Sequence, residues 1–335
     1  MTDEKRLRPF SADVLRLDPE QEAQRIQDAI RRALQGFKRR GTVVAISGGV
    51  DSSVVAALCA RALGRERVLA LLLPERDSAE ETRVLSHLLV EQLGIAHETE
   101  DMTPVLEAVG CYRRRDDAVR EALPQFRSDW RFKIVLPDVV EDDSLRFFSV
   151  VAQTPEGLEY RARLSRSALL GVVAASNFKQ RVRKMFEYYY ADRLNYAVAG
   201  TPNRLEYDQG FFVKNGDGAA DLKPVAHLYK SQVYQLAEYL GIPSEITQRP
   251  PTTDTYSLPQ SQQEFYFSLP YREMDLCLFA RDHAIDSSEA AAVVGLTAEQ
   301  LQRVYRDIDQ KRRTTAYLHS APMVVEPSDG FRWPS

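Results

Sequence analysis

Cysteine is scarce in this chain: Cys59, Cys111 and Cys277 are the only three in 335 residues. They stand too far apart for a metal-binding spacing, and an odd count excludes a complete disulfide framework. Each reads as a small core hydrophobe, and the chain is expected in a reducing cytoplasm. No apolar run approaches the roughly 18 residues that a membrane span needs. The opening Met1-Thr2-Asp3-Glu4-Lys5-Arg6 lacks a signal-peptide hydrophobic region. Neither sign of charge is in excess, and a net charge of −4 gives no global field for nucleic acid or an anionic membrane. Internal repeats and low-complexity tracts are missing as well. What remains is an ordinary globular composition, 44% apolar and 27% charged, expected as one domain over residues 1–335 that buries roughly three quarters of its extended surface.

The most informative stretch runs from Thr42 to Ser53. An apolar run, Val43-Val44-Ala45-Ile46, stops at Ser47-Gly48-Gly49-Val50-Asp51-Ser52-Ser53, and a helical pattern begins at Val54. Strand, tight turn and helix N-terminus bring backbone N–H groups and hydroxyls to one point, which favours phosphate. Asp51 would repel phosphate unless it holds Mg²⁺. The loop has no Lys-Ser/Thr pair for a Walker motif and no third glycine for a dinucleotide fingerprint.

Amphipathic periodicity from Asp18 to Arg40 predicts a helix closed by Arg39-Arg40-Gly41. Strands follow at Val68–Leu73 and Ile95–Thr99, with a helix between them that Ser78 is expected to cap. This alternation predicts an α/β fold, a doubly wound Rossmann-like parallel sheet with helices on both faces and the ligand at the strands' carboxyl ends. Residues 112–168 break the rhythm. Phe132-Ile134-Leu136 and Leu158-Tyr160-Ala162-Leu164 alternate with polar neighbours, and Thr154-Pro155-Glu156-Gly157 signals a turn. The reading is a small inserted antiparallel β-meander, either a lid or oligomer contact or a decorative flap. A long helix is expected from Asn177 to Leu194, a strand at Tyr196–Ala199, a helix at Leu228–Leu240, a loop at Pro250–Asp254 and mostly helix through Leu318. Residues 322–335, with Trp333, read as a loose tail.

Glu206, just after the Tyr196–Ala199 strand, can share a Mg²⁺ with Asp51. Lys230, exposed by its helical pattern, could offset charge on a departing pyrophosphate. Lys214-Asn215-Gly216-Asp217-Gly218 reads as a ligand loop whose glycines let a substrate approach the backbone, with Asp217 and Asp221 as acceptors for an amide, a ribose or an ammonium.

The Ser-Gly-Gly-x-Asp-Ser loop resembles that of the N-type ATP pyrophosphatases. With Asn177–Arg183, Gly200-Thr201, Glu206, Phe212–Asp221, Leu228-Tyr229-Lys230 and Pro251-Thr252 in order, the chain resembles the synthetase domain of the NAD synthetase family. That resemblance implies ATP and Mg²⁺ as cofactors and amidation of deamido-NAD through an acyl-adenylate. It implies pyrophosphate and ATP contacts from Ser47, Gly48, Gly49, Asp51, Ser52, Ser53, Thr201, Lys230 and Thr252, with Asp51 and Glu206 as metal ligands. It implies an acid-substrate pocket of Arg181, Phe211, Lys214, Asp217 and Asp221, with Asp217 near the ammonia. Asp51, Lys214, Asp217 and Lys230 are the catalytic candidates. A homodimer is implied, with the Asn177–Leu194 helix as an interface element. No amidase segment is recognisable, so ammonia would be free or come from a separate glutaminase subunit. Three departures from the family stand out: the meander, from about Arg131 to Ser165, is an addition to the compact bacterial domain, and two family stretches differ. A Gly-Gln-x-Asp-Glu stretch reads Gln260-Ser261-Gln262-Gln263-Glu264, and a His-Lys pair reads Gln310-Lys311, with His319 nearby. A paralogous ligase acting on another carboxylic acid, and a non-catalytic nucleotide-binding protein, therefore stay open.

Overall fold

Continuous apolar runs at β1 (Thr42–Ala45) and β2 (Val68–Leu72) mean that both faces of their sheet are covered. The computed structural model describes residues 9–136, 147–252, 255–323 and 325. Val44, Ala70 and Leu72 point into a core made with α1 (Pro19–Phe37), α2 (Val50–Leu63) and α3 (Glu80–Leu93). Val43, Leu69 and Leu71 point the opposite way, toward α4 (Thr103–Ala108), α5 (Cys111–Arg120) and the long α6 (Arg166–Leu194).

Strand β3 (Ala96–Thr99) lies beside β2, and β7 (Ala197–Val198) lies on the far side of β1. All these pairings are parallel, in the order β3-β2-β1-β7. The chain winds outward from β1 to β3, then crosses back to β7. The switch in strand order falls between β1 and β7, and a crevice opens there at the strands' carboxyl ends. The remaining helices are α7 (Arg204–Gln209), α8 (Lys230–Leu240), which joins the α1–α2 core, the short α9 (Ser244–Thr247), and a C-terminal group, α10 (Tyr271–Asp282), α11 (Ser287–Val294) and α12 (Ala298–Thr315). No helix among the described residues is long and apolar enough to cross a membrane.

A second, antiparallel sheet holds β4 (Arg131–Val135), β5 (Ser149–Gln153) and β6 (Glu159–Arg163). Gly157 N donates to Thr154 O at 2.9 Å, closing the expected turn. The strands therefore occupy only part of residues 112–168. The front of that block is α5, and its end is already α6, which starts at Arg166 rather than Asn177. Gly171, Val172 and Val173 are weak helix formers, and packing against α5 overrides their propensity. Ser165 caps the new start by accepting from Ala168 N at 3.1 Å.

Other boundaries moved for local reasons. Lys38, left-handed at φ 56°, ends α1 before Arg39. Ser78 does not cap α3; its hydroxyl accepts from Glu75 N at 3.0 Å instead. All three cysteines are buried and free. The expected tail at 322–335 lies almost wholly outside the described residues, as does Asp254.

Candidate active site

Beyond β1, Ile46 N still donates to Leu71 O at 2.9 Å, and the chain then turns sharply. Gly48 takes φ +67°, and a Cβ there would sit 2.9 Å from Thr82 O, so no other residue fits without strain. Gly49 is the extended N-cap of α2. Its carbonyl accepts from Ser52 Oγ at 3.1 Å and Ser53 Oγ at 2.8 Å, which tightens the loop. Ser47, Gly49, Asp51 and Ser52 line a cavity of about 1040 Å³, with α2's first-turn N–H groups beside them. Gly48 and the fully buried Ser53 lie behind that wall and shape the loop.

Across the switch point, α7 opens with a capping box. Asn203 Oδ1 accepts from Glu206 N, and Glu206 Oε2 accepts from Asn203 N, both at 3.2 Å. The same Asn203 donates from Nδ2 to Asp51 Oδ1 at 3.0 Å, tying the two strand ends together. Lys230 forms an ion pair with the other Asp51 oxygen, Oδ2. Lys230 is not the exposed lysine its pattern suggested: its residue is 2% exposed. It occupies the first turn of α8, where the helix dipole disfavours a cation. Burial opposes its charge, yet Asp51 and Glu206 hold it protonated beyond the ordinary lysine range. Glu206 Oε1 accepts from Gln262 Nε2 at 2.9 Å. Burial first, then the Asp51 charge, pushes the Glu206 carboxyl up to about 7. Two half-buried acids thus share one buried lysine, an excess of negative charge beside the glycine corner. Hard oxygen donors in that imbalance fit a divalent cation such as Mg²⁺, which uses one or two carboxylates plus phosphate oxygens.

Thr201 and Thr252 also line the cavity. Arg181, Phe211, Lys214 and Asp217 belong to the same wall, and Phe211 N donates to Glu206 O at 2.8 Å. Lys214 Nζ donates to Tyr317 O at 2.7 Å and Ser320 O at 3.1 Å. Arg181 Nε donates to Lys214 O at 3.3 Å. Phe211 packs on Tyr266 with ring centroids 4.8 Å apart. Asp217 accepts from Val213 N at 2.7 Å, and burial raises its proton affinity. Two expectations for this loop change. Its glycines serve packing: a Cβ on Gly218 would meet the Phe212 ring at 2.3 Å. Asp221 lies outside the cavity wall and braces β7, accepting from Val198 N at 2.7 Å and Tyr188 Oη at 3.5 Å.

Sequence reasoning missed a buried ionic cluster on the cavity's flank. Lys179 Nζ donates to Glu75 Oε1 at 2.8 Å, Asp77 Oδ2 at 2.7 Å and Thr255 O at 2.9 Å. Arg115 pairs with Asp77 and Asp116, and Tyr112 Oη donates to Glu75 Oε2 at 2.8 Å. Charges placed directly after a buried strand, Glu75-Arg76-Asp77 after Pro74, were the available signal. Asn203 was also missed, although Asn-x-x-Glu is the capping-box pattern.

The divergent stretches have structural uses. Lys311 donates to Tyr266 O at 2.6 Å and pairs with Asp307. After α12 the His319 ring lies 5.1 Å from Phe212, while Tyr317 and Leu318 reach the cavity.

The family model that matches the chain is NAD synthase, over residues 22–129 and 158–317. The chain is 56% identical over 312 residues to the NH(3)-dependent NAD(+) synthetase of Mesorhizobium japonicum, covering 93% of this chain and 98% of that protein. Among solved structures, NMN synthetase from Francisella tularensis aligns with a TM-score of 0.61 at 24% identity, over 93% of this chain and all of that one. The NH3-dependent NAD synthetase from Campylobacter jejuni, in complex with nitrate, aligns with a TM-score of 0.60 at 20% identity and the same coverage. At those identities the structures speak for the fold.

Proposed function

The chain belongs to the NAD synthase family, and from that premise we propose that it is an AMP-forming ligase that amidates deamido-NAD with ammonia to give NAD. The observation that carries this reading is the 56% identity along nearly the whole length of an ammonia-dependent NAD synthetase. That identity leaves a different acid substrate without support. The supporting geometry is a single cavity lined by Ser47, Gly49 and Asp51 of the glycine corner together with Lys214 and Asp217.

The carboxylate is a poor electrophile, so its oxygen first attacks the α-phosphorus of ATP and pyrophosphate leaves. The first-turn N–H groups of α2, with Ser47 and Ser52, would bind the phosphates, and the buried Lys230 would offset charge on the leaving group. Asp51 and Glu206 would hold Mg²⁺, which when bound neutralises charge on the phosphate oxygens. Thr201 and Thr252 would bound the nucleotide. Arg181, Phe211 and Lys214 would orient the acid. Ammonia then attacks the carbonyl carbon of the adenylate, AMP departs, and Asp217 would take the surplus proton. Exposed Leu170, Met185 and Tyr189 on α6 support pairing with a second copy. Three free thiols are in keeping with a cytoplasmic setting.

Incubation with ATP, Mg²⁺, ammonium and deamido-NAD should yield NAD and AMP in equal amounts. No NAD above a protein-free control would overturn the reading.

Glu206 allows a separate check of the cation site. A carboxyl whose folded value is raised binds more protons folded than unfolded, so its ionisation costs stability as pH climbs from about 4.5 to about 7. Without divalent cation at pH 8, Glu206→Gln should be more stable than wild type by about 1–3 kcal/mol in urea unfolding. It should also lose most AMP formation. A less stable variant would contradict the buried charge excess.

A further inference from the structure

The family model passes over residues 130–157, the stretch that holds β4 and β5. Strand β4 has β5 along one edge, and its other edge is occupied by a segment from much later in the chain. Leu258 N donates to Phe132 O at 3.1 Å, and Phe132 N donates to Ser257 Oγ at 2.9 Å. Arg131 Nε donates to Ser257 O at 2.8 Å, and Gln260 Nε2 to Ile134 O at 2.6 Å. Lys133 and Glu264 form an ion pair at 2.6 Å. The fully buried Phe132 ring meets Tyr256 at 5.4 Å. Residues 256–264 therefore lie along β4 almost as an added strand.

The same segment reaches the chemistry. Gln262 donates to Glu206 Oε1 at 2.9 Å, and Tyr256 and Gln262 line the cavity. Within the segment's described residues, regular backbone pairing amounts to the Thr252–Ser261 bridge and one π turn at Gln263–Phe267. A segment with so few ladder bonds opens at little cost unless something outside it holds it shut. Between Lys179 at Thr255 O and Lys311 at Tyr266 O, the meander edge supplies that hold. Glu264, the acid retained from the divergent Gln260–Glu264 stretch, is spent on Lys133 of the meander.

We propose that β4 is a positioning strand: it pins residues 256–264 across the cavity so that Gln262 orients Glu206, with Lys133 and Glu264 as the clasp. Phe132, Lys133 and Glu264 are then positioning residues that act through Gln262. The activity measurements below rest on the ligase reading; the proteolysis does not.

The test reverses the clasp. In Lys133→Glu and Glu264→Lys, like charges meet. Chymotrypsin cutting at Tyr256 or Phe265 should quicken about fivefold. The kcat should fall by a similar factor, half-saturating Mg²⁺ should rise, and KM for deamido-NAD should hold. The double reversal should return cutting and kcat to within about twofold of wild type. If a single reversal does not fold, Ser257→Ala, which removes the acceptor of Phe132 N, should show the same faster cutting. Wild-type cutting rates in the single variants would overturn the proposal. So would a double variant no better than the singles, or a lowered Tm with cutting and Mg²⁺ demand unchanged. Faster cutting in a protein that makes no NAD even as wild type would sustain the pinning and sink only the ligase reading.

Discussion

Asp51→Asn should lower AMP formation by about 10²–10³-fold or more while the protein stays folded. Asparagine keeps the shape, and its side-chain oxygen still accepts from Asn203 or Lys230, the two partners Asp51 has now. What it removes is one of the two negative charges beside the buried Lys230. Glu206 then stands as the lone carboxylate beside Lys230, and the surplus charge that fits a divalent cation is gone. The glycine corner itself, built from Gly49 and the α2 N-terminus, does not depend on the Asp51 charge. ATP should accordingly still bind, with the loss falling on turnover. Rapid-quench detection of AMP, with circular dichroism as the check on folding, separates the two effects. AMP at the wild-type rate would remove Asp51 from the chemistry.

Lys179→Met should be the most destabilising of these changes, by about 3–5 kcal/mol at pH 7. Methionine fills similar space but leaves Glu75 and Asp77 buried with part of their partners gone. Arg115 remains for Asp77 and Tyr112 for Glu75. The pH dependence gives the sign. Burial tends to raise the Asp77 carboxyl, but Lys179 and Arg115 overcome it and hold the group down at about 2. A carboxyl depressed from an unfolded value of about 3.9 contributes in full above pH ~5 and loses that contribution as pH falls toward about 2. The deficit of the variant should therefore be largest near neutrality and shrink below pH ~4. Urea unfolding at pH 7 and pH 3 measures both. A deficit under about 1 kcal/mol at neutral pH would show that the cluster is solvated. Lys179 also holds Thr255 O, so the same change should loosen the segment that β4 pins.

Glycines, hydroxyls and Asp51 follow one strand within a dozen residues, and their meaning is local. A sharp turn after a buried strand needs a residue tolerant of positive φ, and a helix start needs an N-cap, so loop and helix could be placed before any fold was known. The doubly wound sheet was legible for a similar reason: apolar runs without alternation mean two covered faces. The start of α6 was not legible, because α5 stabilises a run that its own propensities do not favour. The packing role of Gly218 was not legible, because a small residue beside a neighbour's ring looks, in sequence, like one beside a ligand.

The amino-acid order by itself determined the glycine corner, the parallel core and the acids available to it, since these depend on neighbours a few residues apart. Only the tertiary structure decided the electrostatics. Lys230 reaches Asp51 across 179 positions, Lys179 reaches Glu75 across 104, and Gln262 reaches Glu206 across 56. Whether a charge is buried, and which partner makes that burial tolerable, is set by which surfaces meet, and periodicity along one segment carries no record of the segment that will cover it.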